Sequence, residues 1–126
     1  MRALVVDDSS TIRAILSLYL KKMEMDVIEA ADALEALQRL KEAPFDFVLV
    51  DWNMPEMDGI TFVRAVRAEG GYAKLPLMMV TTNSEMANVA LALEAGANEY
   101  IMKPFTADML REKLDLLGLR VETAAV

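Results

Sequence analysis

At 126 residues, 55% of them apolar, the chain has the length of one domain able to bury a sizeable core, and no apolar run approaches the ~18 residues of a membrane span. It has no cysteine and no histidine, which excludes disulfides, zinc–thiolate sites, thiolate nucleophiles, serine–histidine triads and a histidine phosphocarrier within this chain. A net charge of −7 argues against a nucleic-acid face, and the amino terminus lacks the basic segment, apolar stretch and cleavage site of an export signal, so a reducing cytoplasm is the expected compartment.

From the amino terminus the chain alternates short apolar runs with helical patterns. Ala3 to Val6 is the first predicted strand, closed by Asp7-Asp8. Ser9 or Ser10 can cap a helix whose apolar stripe is Ile12, Ile15, Leu16, Tyr19, Leu20 and Met23. Val27-Ile28, flanked by Asp26 and Glu29, suits a short edge strand. A second helix turns Ala33, Ala36, Leu37 and Leu40 inward and stops before Pro44. Phe47 to Val50 is a continuous apolar run, as expected of a strand buried on both faces, and it ends abruptly at Asp51. Asp58-Gly59 opens a third helix carrying Phe62, Val63 and Val66, which ends at Gly70-Gly71. Leu75 to Val80 is the fourth strand, with Pro76 tolerable only near its start. Met86, Val89, Ala90 and Leu93 mark the fourth helix, ended by Gly96. Tyr100 to Met102 is the fifth strand, and Thr106 can cap a last helix with Leu110, Leu114 and Leu117 inward and Gly118 past its end. Five strand–helix units predict an α/β fold, a single doubly wound parallel sheet with right-handed crossovers and helices on both faces. Residues 1–120 read as one domain and 121–126 as a frayed tail.

In a parallel sheet the carboxyl ends of the strands share one edge, where open α/β sheets hold their ligands. That edge would carry Asp7 and Asp8, Asp51, Thr81-Thr82, and Lys103-Pro104. Each residue has a plainer use: the aspartates can cap a turn or a helix, Thr81 can bond at a strand end, and Lys103 can be a solvated charge. Together they describe something else. Three carboxylates at one place repel unless a cation sits among them, and an oxygen-only set with room for water suits Mg²⁺ better than Ca²⁺. An ammonium and a hydroxyl beside that cluster would hold an anion, so the set describes a phosphoryl site with Asp51 as nucleophile.

The Asp7-Asp8 pair, the segment Asp51-Trp52-Asn53-Met54-Pro55-Glu56-Met57-Asp58-Gly59, Thr81, and Lys103-Pro104-Phe105-Thr106 resemble the receiver domain of response regulators, nearest to its stand-alone chemotaxis members. The resemblance runs from about Ala3 to Leu119. It implies a flavodoxin-like sheet of order 2-1-3-4-5 flanked by five helices. It implies that Asp51 accepts a phosphoryl group from the phosphohistidine of a sensor histidine kinase, or from a small acyl phosphate. Mg²⁺ would be held by Asp8, Asp51 and the backbone carbonyl of Asn53, with Asp7 reached through water. Lys103 and Thr81 would bind phosphoryl oxygens, Thr82 would control access to them, and the Lys103-Pro104 bond would be cis. Tyr100 matches the aromatic that turns inward when Thr81 shifts toward the phosphoryl group, although a half-buried strand tyrosine would look the same. Asn53 and Asn83 occupy positions that tune the lifetime of the phosphorylated state. The implied partners are the kinase, an output protein on the face of the fourth helix, fifth strand and fifth helix (the flagellar motor switch in chemotaxis), and a phosphatase. Such a protein promotes its own phosphorylation and dephosphorylation without turning over an external substrate.

Three other readings compete. A haloacid-dehalogenase-like phosphatase also uses a strand-end aspartate, but needs a second acid two residues later, where Asn53 offers an amide. A flavodoxin-like flavin binder needs a phosphate loop after the first strand, where Asp7-Asp8 repels phosphate. A receiver cut from a larger regulator with another output would share every feature named above.

Overall fold

The protein is described by a computed structural model that covers residues 1–82 and 86–119. Asn83, the side chain of Met86 and the expected tail 121–126 lie outside the described residues. Five strands and five helices alternate: β1 Arg2–Val6, α1 Ser10–Lys22, β2 Asp26–Ala30, α2 Ala33–Glu42, β3 Phe47–Asp51, α3 Gly59–Ala68, β4 Leu77–Thr81, α4 Met86–Ala95, β5 Glu99–Met102 and α5 Ala107–Leu116. All pairings are parallel and the order is β2-β1-β3-β4-β5, as the resemblance implied.

Strand residues alternate between two cores because successive side chains leave opposite faces of a strand. Leu4, Val6, Val48, Val50, Leu77 and Met79 enter one core with Ala33, Ala36, Phe62, Val63, Val66 and Ala92, which come from α2, α3 and α4. Ala3, Val5, Phe47, Leu49, Met78, Val80 and Ile101 enter the other with Leu16 and Leu20 of α1 and Leu110 and Leu114 of α5. With both faces covered, β3 and β4 are buried throughout, which explains their unbroken apolar runs. Among the described residues no helix is long and apolar enough to cross a membrane.

Helix ends follow local chemistry. Ser9, Asp32, Asp58 and Thr106 cap α1, α2, α3 and α5, each accepting from the backbone N–H three residues on. Gly96 and Gly118, just past α4 and α5, have φ of +120° and +80°, which an L-residue side chain disfavours. At the α4–β5 corner Arg67 of α3 donates to the carbonyls of Gly96 and Tyr72 and to Asn98 Oδ1.

Strands β1, β2 and β5 extend a residue or two beyond the sequence expectation at their ends, and three further differences bear on packing. Strand β4 begins at Leu77, after Pro76, since a proline lacks the N–H that a central ladder needs. In α1, Ile15 is exposed; the buried line is Leu16, Leu20 and Met23, and the small Ser17 beside it is buried with its hydroxyl bonded to Glu29. In α4 the inward line is Val89 and Ala92, whereas Ala90 is exposed and Leu93 is 48% exposed. An almost uniformly apolar helix carries no periodic contrast, so packing against α3 decides its rotation.

Candidate functional site

The chain reverses its direction of travel across the sheet between β1 and β3: β2 lies on one side of β1, and β4 and β5 lie beyond β3. Side chains from these two central strands meet at the carboxyl edge there. Val6 pairs with Val50, so Asp7, one residue past the end of β1, and Asp51, the last residue of β3, stand side by side. Asp7 is 1% exposed and Asp51 7%.

Lys103 reaches this pair from the far edge. Its N–H donates to the Thr81 carbonyl at 2.8 Å, which extends the β4–β5 ladder one step beyond the Thr81–Met102 rung. The Lys103-Pro104 peptide is cis. From that anchor the ammonium donates to Asp51 Oδ1 at 3.2 Å and to Asp7 Oδ2 at 3.4 Å. The other oxygen of Asp7 accepts from the Ser9 N–H at 2.9 Å. Asp8 is exposed, yet its carboxylate belongs to the same cluster: one ligand atom each from Asp7, Asp8 and Asp51 lies within 4.8 Å of the others. Ser9 caps α1 and Asp58 caps α3, so none of the three acids is a helix N-cap; Asp7 alone holds its turn, through the Ser9 N–H, and that leaves Asp8 and Asp51 unexplained by capping.

The electrostatics leave room for a cation. Three carboxylates against one ammonium sum to −2 among these four side chains. Burial pushes the Asp51 carboxyl above the usual carboxylate range, and the Asp7 charge adds to the rise. Lys103 opposes both, by attraction and by its hydrogen bond. Compact, hard oxygen donors of net charge −2 with one member open to solvent fit a hydrated Mg²⁺. Bound there, such an ion would neutralise anionic charge next to Asp51.

Thr81 is 2% exposed at the end of β4, one residue beyond Val80, the Asp51 partner in the β3–β4 ladder, and Thr82 after it is exposed. Asn53 is exposed in the β3–α3 loop. Trp52 is half-buried against the α2–α3–α4 core, as are Met54 and Met57. Tyr100 sits two positions back from the Thr81 rung, half-buried, with Lys113 Nζ 4.6 Å from its ring centroid; Lys113 also donates to Glu99 Oε1 at 3.1 Å. Met79 is the Tyr100 partner in the ladder.

Two residues mattered more than the sequence reading foresaw. Ser9 fixes one Asp7 oxygen through its own N–H, which no side-chain pattern reveals. Gly59, read only as a helix opener, has its Cα so close to β3 that an added Cβ would lie 2.5 Å from the Asp51 carbonyl oxygen, 2.7 Å from Met79 Cε and 3.1 Å from Trp52 Cα. Its N–H donates to the Trp52 carbonyl at 2.9 Å. The Asp-Gly dipeptide was the available signal, but the reason for the glycine is tertiary.

Comparison with known proteins agrees with this geometry. Residues 3–115 match the response regulator receiver domain family. The chain is 49% identical over 121 residues to a chemotaxis protein CheY homologue of Campylobacter jejuni, covering 94% of this chain and 93% of that protein. It is 44% identical over 119 residues to chemotaxis protein CheY1 of Helicobacter pylori, covering 93% and 96%. The solved structure of chemotaxis protein CheY4 from Vibrio cholerae superposes with a TM-score of 0.88 at 36% identity, covering 92% of this chain and 97% of that one.

Proposed function

The chain belongs to the response regulator receiver family of two-component systems, and from that premise we propose that it is a phosphorylatable switch of the chemotaxis type in which Asp51 is the phosphoacceptor. The observation that carries the reading is the Lys103 ammonium lying between the Asp51 and Asp7 carboxylates at 3.2 and 3.4 Å, with Asp8 in the same cluster. An Asp51 oxygen attacks the phosphorus of a donor. The new O–P bond replaces the P–N bond of a kinase phosphohistidine or the P–O bond of a small acyl phosphate, and the electron pair leaves with the donor. Asp8, Asp51 and the Asn53 carbonyl would hold Mg²⁺, with Asp7 contributing through water, and the ion would neutralise charge on the phosphoryl oxygens. Lys103, already tethered beside Asp51, and the buried Thr81 hydroxyl receive phosphoryl oxygens, while the exposed Thr82 governs access.

The added group is roughly doubly negative. Drawing Thr81 toward it vacates space that Tyr100 fills, which reshapes the face of α4, β5 and α5. Moving such an equilibrium from mostly inactive to mostly active takes about 5.5 kcal/mol of differential stabilisation. One charge-assisted hydrogen bond supplies roughly 1.5–3 kcal/mol. Thr81 alone is therefore insufficient, and Lys103 and the bound output protein share the task. The partners are a sensor histidine kinase, an output protein on that face (the flagellar motor switch is the chemotaxis-type candidate) and a phosphatase, all in the cytoplasm. The protein turns over no external substrate.

The test is intact-mass measurement after incubation with acetyl phosphate and Mg²⁺. One phosphoryl unit is expected, absent without the metal and absent in Asp51→Asn. Phosphate on another residue of the parent protein removes the assignment.

A further inference from the structure

The backbone is held on either side of the Asp7 Cα, by the N–H that precedes it and by the carbonyl that begins the Asp7–Asp8 peptide. The Asp7 N–H donates to the Ala30 carbonyl at 3.1 Å, which ties it to the end of edge strand β2. The Asp7 carbonyl accepts from a guanidinium N–H of Arg13 at 2.6 Å. Arg13 stands within α1, its side chain only 17% exposed, and its Nε donates to Glu29 Oε1 of β2 at 3.1 Å. The second Glu29 oxygen accepts from the buried Ser17 hydroxyl at 3.1 Å, one further turn along α1. Arg13 thus occupies a fork: one arm on the backbone of the acid pair, the other on a carboxylate that is braced in turn by the helix carrying the arginine.

We infer that Arg13, locked by Glu29 and Ser17, is a positioning residue for magnesium binding: its hydrogen bond to the Asp7 carbonyl orients the Asp7–Asp8 peptide so that the exposed Asp8 carboxylate faces Asp51. Asp7 needs no such help, because Lys103 and the Ser9 N–H already hold its two oxygens. Among the described residues no hydrogen bond or ion pair holds the Asp8 side chain, so its direction is set chiefly by the backbone that Arg13 fixes. The function is geometric more than electrostatic. Glu29 offsets the Arg13 charge locally, so the guanidinium adds little net field at the acids. A lysine retains the positive charge but not the planar fork that reaches Glu29 and the carbonyl together. The inference rests on the metal reading of the three acids.

The experiment is a Mg²⁺ titration followed by Trp52 fluorescence and, independently, by calorimetry, for the parent, Arg13→Met, Arg13→Lys and Ser17→Ala, well below each protein's thermal midpoint. Loss of a partner that orients metal ligands typically weakens binding by about 10- to 100-fold, so Arg13→Met is expected to raise the dissociation constant by about tenfold. Arg13→Lys is expected to fall on the same side, despite its charge, and Ser17→Ala to show a smaller shift. Arg13→Lys keeps the test decisive should the methionine variant fail to fold. Thermal midpoints in chelator report general stability separately. Variants with lowered midpoints but parental Mg²⁺ affinity overturn the inference and leave the metal reading standing. An Arg13→Lys protein that binds Mg²⁺ like the parent, with Arg13→Met weakened, overturns the geometric account in favour of charge. A parent protein that binds no Mg²⁺ by either method overturns the metal reading, and this inference with it.

Discussion

Replacing Gly59 by alanine asks whether α3 sets the position of Asp51. The new Cβ would stand 2.5 Å from the Asp51 carbonyl oxygen, where ordinary contact begins near 3.4 Å. The Met79 methyl, at 2.7 Å, can swing aside; the carbonyl and the Trp52 Cα belong to the backbone and cannot move alone. Roughly 0.9 Å must therefore be found by displacing the end of β3 or the start of α3, and overpacking of this kind costs about 1–3 kcal/mol. Alanine recovers about 0.5–1 kcal/mol of backbone entropy in a helix. The net expectation is a destabilisation of about 1–2 kcal/mol, or a fall of roughly 3–10 °C in thermal midpoint for a chain of this size. The same shift moves Asp51 relative to Lys103, and misplacement approaching 1 Å can slow chemistry by about 100-fold. Thermal denaturation in chelator measures the first effect, and the initial rate of phosphoryl incorporation from acetyl phosphate, by intact mass, measures the second. Gly70→Ala is the control, since nothing lies within 4 Å of a Cβ there, and it is expected to be neutral. A Gly59→Ala protein with parental midpoint and parental phosphorylation rate would refute the close-approach argument.

Lys103→Met removes the ammonium from two buried carboxylates, and in chelator at neutral pH it is expected to cost about 2–3 kcal/mol by denaturant titration, with saturating Mg²⁺ restoring more stability than it adds to the parent. Equal stabilities in chelator would count against the ion pairs. Asp51 has a raised carboxyl pKa in the folded state, so its ionised form opposes folding above that pKa, and the penalty disappears as pH falls toward the unfolded value. Asp51→Asn is therefore expected to raise the metal-free midpoint near neutral pH, with the difference shrinking as the medium is acidified through the window between the two pKa values. A gain that grows on acidification contradicts the sign. Thr81→Ala is expected to accept a phosphoryl group on Asp51 and yet bind the output protein no better for it; phosphorylation-dependent binding equal to the parent's removes Thr81 from the switch.

The order of elements was legible because each rests on short-range chemistry. The apolar runs ending at Asp7, Asp51 and Thr81, the cap at Ser9 or Ser10 (Ser9 in the structure), those at Asp58 and Thr106, and the glycines at 96 and 118 all act within a few residues of themselves. The meeting of Asp7, Asp8, Asp51 and Lys103 was legible too, because parallel strands oblige their carboxyl ends to share an edge. The face that α4 turns inward was not: with little polar contrast along the helix, only the packed core selects Val89 and Ala92 over Ala90 and Leu93. The contact that forbids a side chain at residue 59 and the hold of Arg13 on the Asp7 carbonyl were likewise decided by the tertiary structure. Periodicity and turn signals report how a residue treats its own neighbourhood in the chain. Which backbone atom it meets from another segment depends on the twist and spacing of the assembled sheet, and those exist only once the two cores have closed.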